Sequence, residues 1–308
     1  MKRWPAGLAV AAVAFTLAWP FVAPPYLVVV GLLVLMYTTL AASWNLVSGY
    51  TGYLSFGHVA FFGVGAYTMA LLVTRLQVHW LLASAAGGAA AVLLSLGVGL
   101  IALRLRGPYF AIATLGLAEA LQIVAAAWEP VTRGGLGIYL PPVLDHTSVY
   151  LALAVMAVGV VALTYRLATS TFGLRLLAIR EDEGALESLG VNVTRYKLSA
   201  FALSAFFPGV VGGVYAWFTS YVDPPSVFGL SITLRMIVMA MFGGAGTVLG
   251  PVIGGVALTL LQETLWTQFT SMHQALFGAL IILLVVFMPG GVLALARRRG
   301  WLPRTRAL

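Results

Sequence analysis

The chain has 308 residues, of which 61% are hydrophobic and only 8% are charged. A soluble domain usually carries about 25% charged residues, so this composition excludes a water-exposed globular protein and indicates a surface that faces mostly lipid. The net charge of +8 is expected to reflect basic loops beside anionic lipid rather than nucleic-acid binding. The absence of cysteine excludes disulfides, thiol catalysis and zinc–thiolate sites.

Long apolar stretches follow one another from the N-terminus onwards. In hydrocarbon, backbone polar groups need partners within the protein, and these continuous runs are unlike the alternating strands of a barrel. A helix needs about 20 apolar residues to cross a bilayer, so we predict a single all-α polytopic bundle over residues 1–308. The ten predicted segments are 6–23, 26–47, 57–74, 80–103, 108–127, 149–167, 197–219, 230–242, 247–266 and 275–294. The eighth is short and is predicted to be broken or re-entrant.

The distribution of basic residues predicts the orientation. With the N-terminus in the cytoplasm, 14 of the 17 Lys and Arg residues fall inside, Arg75 and Arg133 fall outside, and Arg235 lies within the eighth segment. This split favours an even number of spans and two cytoplasmic termini. The first helix is expected to be retained, with a cleaved signal peptide as the alternative.

The longest segment between predicted spans covers residues 168–196 and would be cytoplasmic. Apolar residues three and four apart, with capping residues before them, predict two short amphipathic helices. Because an acidic run would be repelled by anionic headgroups, a docking surface for a cytoplasmic partner is favoured over a loop lying on lipid. The residues predicted to couple to that partner are Arg175, Arg180, Glu181, Asp182, Glu183, Glu187 and Leu189.

Two apolar segments, 49–67 and 243–255, are rich in glycine and occupy comparable places in the two halves of the chain. Such a pair predicts broken helices of an internal repeat around a transport site, with tight glycine packing as the alternative. Glu119 is an acid within a predicted span, which is a functional hypothesis by default, although it could simply pair with a neighbouring helix. The candidate translocation path comprises Asn45, Ser48, Thr51, Ser55, His58, Glu119, Gly243 and Gly244.

Several catalytic signatures are absent from the sequence. Neither lysine follows a glycine, so there is no Walker A loop, and no HExxH or Gly-x-Ser-x-Gly motif occurs. His58 has no second histidine or carboxylate at metal spacing, so it is interpreted as a satisfied polar group rather than a ligand. The sequence therefore predicts neither an enzyme nor a bound metal or other cofactor.

Five ordered blocks between residues 40 and 291 together resemble a known family. They are LAASWNLVSGYTGYLSFGHVAFFGVGAYTMALL, GPYFAIATLGLAEALQIV, TRGGLGI, FGLRLLAIREDEGALESLGVNVTRYKLSAFALSAFFPGVVGGVYA and MFGGAGTVLGPVIGG. This order is similar to branched-chain amino-acid ABC transporter permeases of the LivM type. Pro208 departs from the family pattern and is expected to kink its helix.

The resemblance implies a permease subunit of an ATP-driven importer in a bacterial or archaeal cytoplasmic membrane. It implies a homologous LivH-type permease, two cytoplasmic ATPase subunits and an extracytoplasmic substrate-binding protein as partners, with leucine, isoleucine and valine as substrates. Urea, short amides or aromatic acids are the alternatives within the family. A stand-alone ion-coupled secondary transporter is the alternative from another class.

Overall fold

The structure is a computed structural model that describes residues 6–143, 145–268, 278 and 290–298. These residues are mostly helical and confirm the predicted all-α membrane bundle in its coarse form. The helices are α1 (Ala6–Val22), α2 (Pro25–Trp44), α3 (His58–Leu76), α4 (Trp80–Ala102), α5 (Pro108–Ala127), α6 (Glu129–Thr132), α7 (His146–Ala168), α8 (Thr171–Glu181), α9 (Glu183–Ser188), α10 (Val193–Thr219), α11 (Pro224–Phe228), α12 (Leu230–Gly243), α13 (Gly250–Gln268) and α14 (Gly291–Arg298).

Within the described residues, seven helical stretches are long and apolar enough to cross a membrane, and they match predicted segments two to eight. They are Pro25–Gly49, His58–Leu76, Trp80–Ala102, Pro108–Ala127, His146–Ala168, Val193–Thr219 and Pro224–Gly243. The eighth segment is longer than the sequence indicated, since α11 precedes α12 and the two together cover 20 residues. The predicted break is present, since Gly229 separates α11 from α12.

Three of the predicted segments are not among these seven. The first contains a shorter apolar helix, Val10–Val22. The ninth forms α13, whose second half carries polar residues that include Gln262 and Glu263. The tenth, 275–294, lies mostly outside the described residues, as do both chain ends. The count of ten spans and the placement of the termini therefore stay predictions.

Helix α10 lies at the centre of the bundle and packs against α3 and α4. Its backbone touches that of α3, because a Cβ on Gly65 would lie 1.9 Å from the carbonyl oxygen of Gly209. A Cβ on Gly212 would likewise lie 2.0 Å from the carbonyl oxygen of Phe62. Only glycine fits these crossings, which let two membrane helices approach without side chains between them.

The remaining helices build outward from this centre. Helix α2 packs against α7 and α13, and α12 packs against α13. At the C-terminal end of α10, β2 (Tyr221–Val222) pairs antiparallel with β1 (Ile138–Tyr139). The 168–196 segment meets the opposite end of α10, so the two ends of the bundle have different coverings.

Both glycine-rich segments connect successive helices. Helix α2 ends in a π-helical turn, Asn45–Gly49, and residues 49–57, here named the first glycine turn, lead to α3. Residues 244–249, the second glycine turn, join α12 to α13. Each contains glycine with positive φ, at +76° for Gly52 and +79° for Gly246, a conformation that other residues rarely adopt.

The segment between α7 and α10, here named the coupling segment, contains the two short helices α8 and α9. Ser170 caps α8 by accepting a hydrogen bond from the N–H of Gly173, and Asp182 caps α9 through the N–H of Ala185. Gly190 follows α9 with a φ of +79°. The cap of α8 is of the kind that the sequence pattern predicts, and Gly190 in this conformation is a common helix stop.

The tight crossing of α3 and α10 predicts a difference between two glycine-to-alanine changes. Gly65→Ala forces a methyl group against a backbone carbonyl and should lower the stability by about 1–3 kcal/mol. Gly97→Ala, on the exposed face of α4 where nothing lies within 4 Å, should leave stability unchanged or slightly higher. Thermal unfolding of the two variants purified in detergent measures the difference, and equal melting temperatures would contradict it.

Candidate functional site

The side chain of Asn45 joins the two glycine turns. Its Nδ2 donates to the carbonyl oxygen of Thr247 at 2.8 Å, and its Oδ1 accepts from the N–H of Gly246 at 2.7 Å. Asn45 itself is fully buried, and both hydrogen bonds are partly buried. The two segments are separated by 202 residues in the sequence and yet are held together by one amide.

Arg180, in the last turn of α8, reaches the same place from the coupling segment. Its guanidinium donates to the carbonyl oxygen of Gly49 at 2.9 Å, at the end of the π-helical turn. That carbonyl belongs to a helix C-terminus, where backbone acceptors lack intrahelical partners and a cation is favourable. Arg180 therefore satisfies a backbone group that the end of α2 leaves open.

Lys197, near the start of α10, forms a second group of contacts between the coupling segment and the bundle. It is 3% exposed, and its Nζ donates to Glu183 Oε1 at 2.7 Å, to the Tyr53 hydroxyl at 3.1 Å and to the carbonyl oxygen of Leu103 at 3.1 Å. These bonds use all three hydrogens of the ammonium. The Tyr53 hydroxyl donates in turn to the other carboxylate oxygen of Glu183. We name these four residues the ammonium cluster; it ties α9 to α4, α10 and the first glycine turn.

The electrostatics of the ammonium cluster favour a charged Glu183. Partial burial acts to raise the pKa of its carboxyl, but hydrogen bonds from Lys197 and Tyr53 and the charges of Lys197 and Arg106 outweigh burial and hold that pKa below its usual range. Burial, followed by the hydrogen bond to Glu183, raises the pKa of the Tyr53 hydroxyl, which stays neutral and able to donate. The Glu183 carboxyl is therefore ionised at neutral pH and accepts hydrogen bonds from Lys197 and Tyr53.

The structure separates the three consecutive acids of the coupling segment. Glu183 faces the bundle, whereas Glu181 and Asp182 are exposed. Glu187 is also accessible and pairs at 3.5 Å with the exposed Arg106, a kind of surface pair that contributes little to stability. Leu189, just after α9, is 79% exposed.

A cleft of about 380 Å³ lies between the coupling segment and the bundle. Arg180, Glu181 and Asp182 line one side of it, and Gly52 and Arg106 line the other. Arg175, on the opposite face of α8, donates instead to the Tyr196 hydroxyl and lies against that ring. The coupling segment thus presents one face to α10 and another to the first glycine turn.

A buried polar chain begins where Pro208 interrupts the hydrogen bonding of α10. Proline has no N–H, so the carbonyl oxygen of Ser204, four residues earlier, has no helical partner, and the Ser43 hydroxyl donates to it at 2.5 Å. The Ser204 hydroxyl lies 3.2 Å from His58 Nε2, and His58 Nδ1 lies 3.0 Å from the Ser55 hydroxyl. Helix α10 continues through Pro208, and the freed carbonyl is satisfied from α2.

Other predicted path residues extend this polar chain. The Ser48 hydroxyl accepts from the N–H of Ser55 at 3.2 Å, and the Thr51 hydroxyl donates to the carbonyl oxygen of Val47 at 2.8 Å. Ser48, Thr51 and Ser55 are buried, as is His58. The contacts of His58 agree with its interpretation as a satisfied polar group, and a role of these residues in translocation stays a prediction.

The remaining path residues lie apart from this chain. Gly243 ends α12, where a Cβ would lie 1.6 Å from the carbonyl oxygen of Gly250, and Gly244 begins the second glycine turn with a φ of +126°. Glu119 is exposed on α5 and does not join the buried cluster. In the part of the chain that the structure describes, no three acids or histidines are grouped as metal ligands would be.

Lys197, Tyr53 and Arg106 were not predicted as site residues from the sequence. Lys197 could have been found, because it is one of two lysines in the chain and opens an apolar run. A lysine in that position is costly unless it is paired. Tyr53 gave no such signal, since tyrosine is common wherever a membrane protein meets the membrane–water interface.

The buried ion pair predicts strong coupling between two substitutions. Lys197→Met leaves the Glu183 carboxylate without its buried cation and should lower the stability by about 3 kcal/mol or more. Glu183→Gln should lower the stability less when Lys197→Met is already present, because the lysine charge that needs Glu183 as its partner is then gone. A double-mutant cycle on the free energy of unfolding in detergent measures this coupling, and additive losses would contradict it.

The chain is similar to known permease proteins. Residues 26–285 match the family model described as branched-chain amino acid transport system / permease component. The high-affinity branched-chain amino acid transport system permease protein LivM of Escherichia coli is 30% identical over 94% of this chain and 75% of its own length. The corresponding permease protein LivH of the same organism is 25% identical over 83% of this chain and 91% of its own length.

A probable branched-chain amino acid transport permease protein LivM of the archaeon Methanocaldococcus jannaschii is 21% identical over 62% of this chain and 61% of its own length. No solved structure matches the chain. The family model covers most of the bundle, from the start of α2 to beyond α13, and includes both glycine turns and the coupling segment. The chain therefore belongs to the family of branched-chain amino acid transport system permease components.

Proposed function

We propose that this chain is the membrane-spanning permease subunit of an ATP-driven importer for leucine, isoleucine and valine. The observation that carries the proposal is the similarity to LivM of Escherichia coli, which extends over 94% of the chain. The chain lacks a Walker A loop, so the energy for transport comes from another subunit. Within the complex this chain translocates the solute and catalyses no reaction.

Its proposed partners are a LivH-type permease, two cytoplasmic ATPase subunits and an extracytoplasmic binding protein. The chain is similar both to LivM and to LivH of one organism, which supports a pore built from two related halves. The exposed Glu181, Glu187 and Leu189 are proposed to contact an ATPase subunit. Arg175, Arg180, Asp182 and Glu183 then belong to the same coupling segment, of which Glu183 anchors α9 from within.

The proposed topology has ten spans in the cytoplasmic membrane of a bacterium or archaeon, with both termini inside. The seven described spans and the cytoplasmic excess of basic residues support it. We further propose an internal repeat in which the two glycine turns are corresponding elements. The direct contact of the two turns through Asn45 supports a shared role. We propose that the candidate path residues, Asn45, Ser48, Thr51, Ser55, His58, Glu119, Gly243 and Gly244, belong to the translocation path or hold together the elements around it.

The proposed cycle begins when the binding protein delivers the amino acid to the outer face. ATP binding then closes the ATPase dimer, which moves α8 and α9. Because α9 is tied to α4 and α10 by the ammonium cluster, this movement is passed to the spans, which alternate between two states. The permease needs only two conformations of similar stability and a partner with different affinity for each.

Reconstitution separates this proposal from its alternatives. We expect proteoliposomes with the whole complex and ATP to accumulate labelled leucine, and those with this chain alone and an ion gradient to accumulate none. Uptake by the chain alone would contradict the proposal and indicate a secondary transporter. Binding of urea, short amides or aromatic acids instead of leucine by the partner binding protein would move the substrate to those classes.

Charge reversal on the exposed face of the coupling segment should weaken ATPase docking. We expect the Glu181→Lys and Glu187→Lys double variant, which leaves Glu183 and the ammonium cluster intact, to retain several-fold less ATPase on co-purification because its contact charge is reversed. Glu129→Lys, also exposed but beyond the other end of α5, is the matched control. Equal ATPase recovery in both variants and the unmodified complex would contradict docking on this face.

A further inference from the structure

Arg180 occupies a position between the two glycine turns. A Cβ on Gly52, in the first turn, would lie 3.1 Å from Arg180 Cγ. A Cβ on Gly246, in the second turn, would lie 3.1 Å from Arg180 Nη1. The side chain of one residue of α8 therefore touches a glycine of each turn, and both glycines have positive φ.

The guanidinium of Arg180 is also held in place, by a hydrogen bond. The guanidinium donates to the carbonyl oxygen of Gly49, and the position of a Cβ on Gly246 lies 2.9 Å from that same oxygen. The first turn, the second turn and the coupling segment thus meet at one backbone oxygen. Asn45 joins the two turns on the bundle side, whereas Arg180 joins them from the coupling segment.

The two glycine turns link different pairs of helices. The first joins α2 to α3, and the second joins α12 to α13. A displacement of α8 that carries Arg180 with it must therefore alter the hydrogen bond at the end of α2 and the packing against the second turn together. Glu183 cannot provide this link, because the ammonium cluster connects α9 to α4, α10 and the first turn but has no member in the second turn.

We infer that Arg180 is the positioning residue through which the coupling segment sets the relative position of the two glycine turns during transport. The inference rests on the proposed function and concerns the transmission of movement, not contact with the solute. Arginine suits the position because its long stem packs against glycine while its planar head donates a directed hydrogen bond. Removal of the side chain leaves the turns joined by Asn45 and removes the contacts that Arg180 makes with both turns.

The ratio of leucine transported to ATP hydrolysed by the reconstituted complex tests this inference. In Arg180→Ala we expect assembly and ATP hydrolysis to persist while that ratio falls roughly tenfold, within the usual range of coupling between sites. Arg180→Lys keeps the charge and length and should recover part of the ratio. Arg195→Ala, which removes an exposed arginine at the start of α10 beside Arg175 and Tyr196, should keep the full ratio.

A residue with a merely structural role would lower the amount of complex and leave this ratio unchanged. An unchanged ratio in Arg180→Ala therefore overturns the inference. If Arg180→Ala does not assemble, Arg180→Gln is measured in its place with the same expectation, and failure of both to assemble also overturns the inference. Absence of ATP-driven uptake by the unmodified complex would instead contradict the proposed function, so the two failures are distinguishable.

Discussion

Within hydrocarbon, every backbone group that a helix leaves without a partner must find one inside the protein. In the part of the chain that the structure describes, such places include three that are completed by a side chain from another part of the bundle. Ser43 donates to the carbonyl oxygen of Ser204 that Pro208 leaves free. Arg180 donates to the carbonyl oxygen of Gly49. Asn45 accepts from the N–H of Gly246 and donates to the carbonyl oxygen of Thr247. The irregular points of the fold are therefore also the points where distant elements are joined.

This arrangement depends on close helix packing, because serine and asparagine are short and cannot bridge widely spaced helices. The glycine crossing of α3 and α10 brings backbones into contact and places the polar chain of Ser43, His58 and Ser204 in the interior. The contacts beneath the coupling segment follow the same rule, that a side chain supplies the partner a helix end lacks. Lys197 donates to the carbonyl oxygen of Leu103, just beyond the end of α4. A force applied to α9 therefore acts on helix ends through bonds that are buried or partly buried.

The spans and the two short helices could be predicted from the sequence because both follow from local patterns of apolar and capping residues. The length of the eighth segment was underestimated, because Pro224 and Pro225 mark a helix start and the short α11 that they begin lies just before α12. The meeting of Asn45 with Gly246 could not be predicted, since no local pattern relates residues so far apart. Glu183 could not be separated from Glu181 either, because only the position of Lys197 in space decides which acid turns inward.

The predicted path residues divide into two kinds by their surroundings. Asn45, Ser55 and His58 are buried with their polar atoms engaged, so the role proposed for them is to hold together the elements around the path. Glu119 differs, because it is exposed on α5 within a span, and an exposed carboxylate facing lipid would be costly. That cost is removed if α5 faces protein or water in the assembled importer, which agrees with a path shared between two permease subunits rather than enclosed within one.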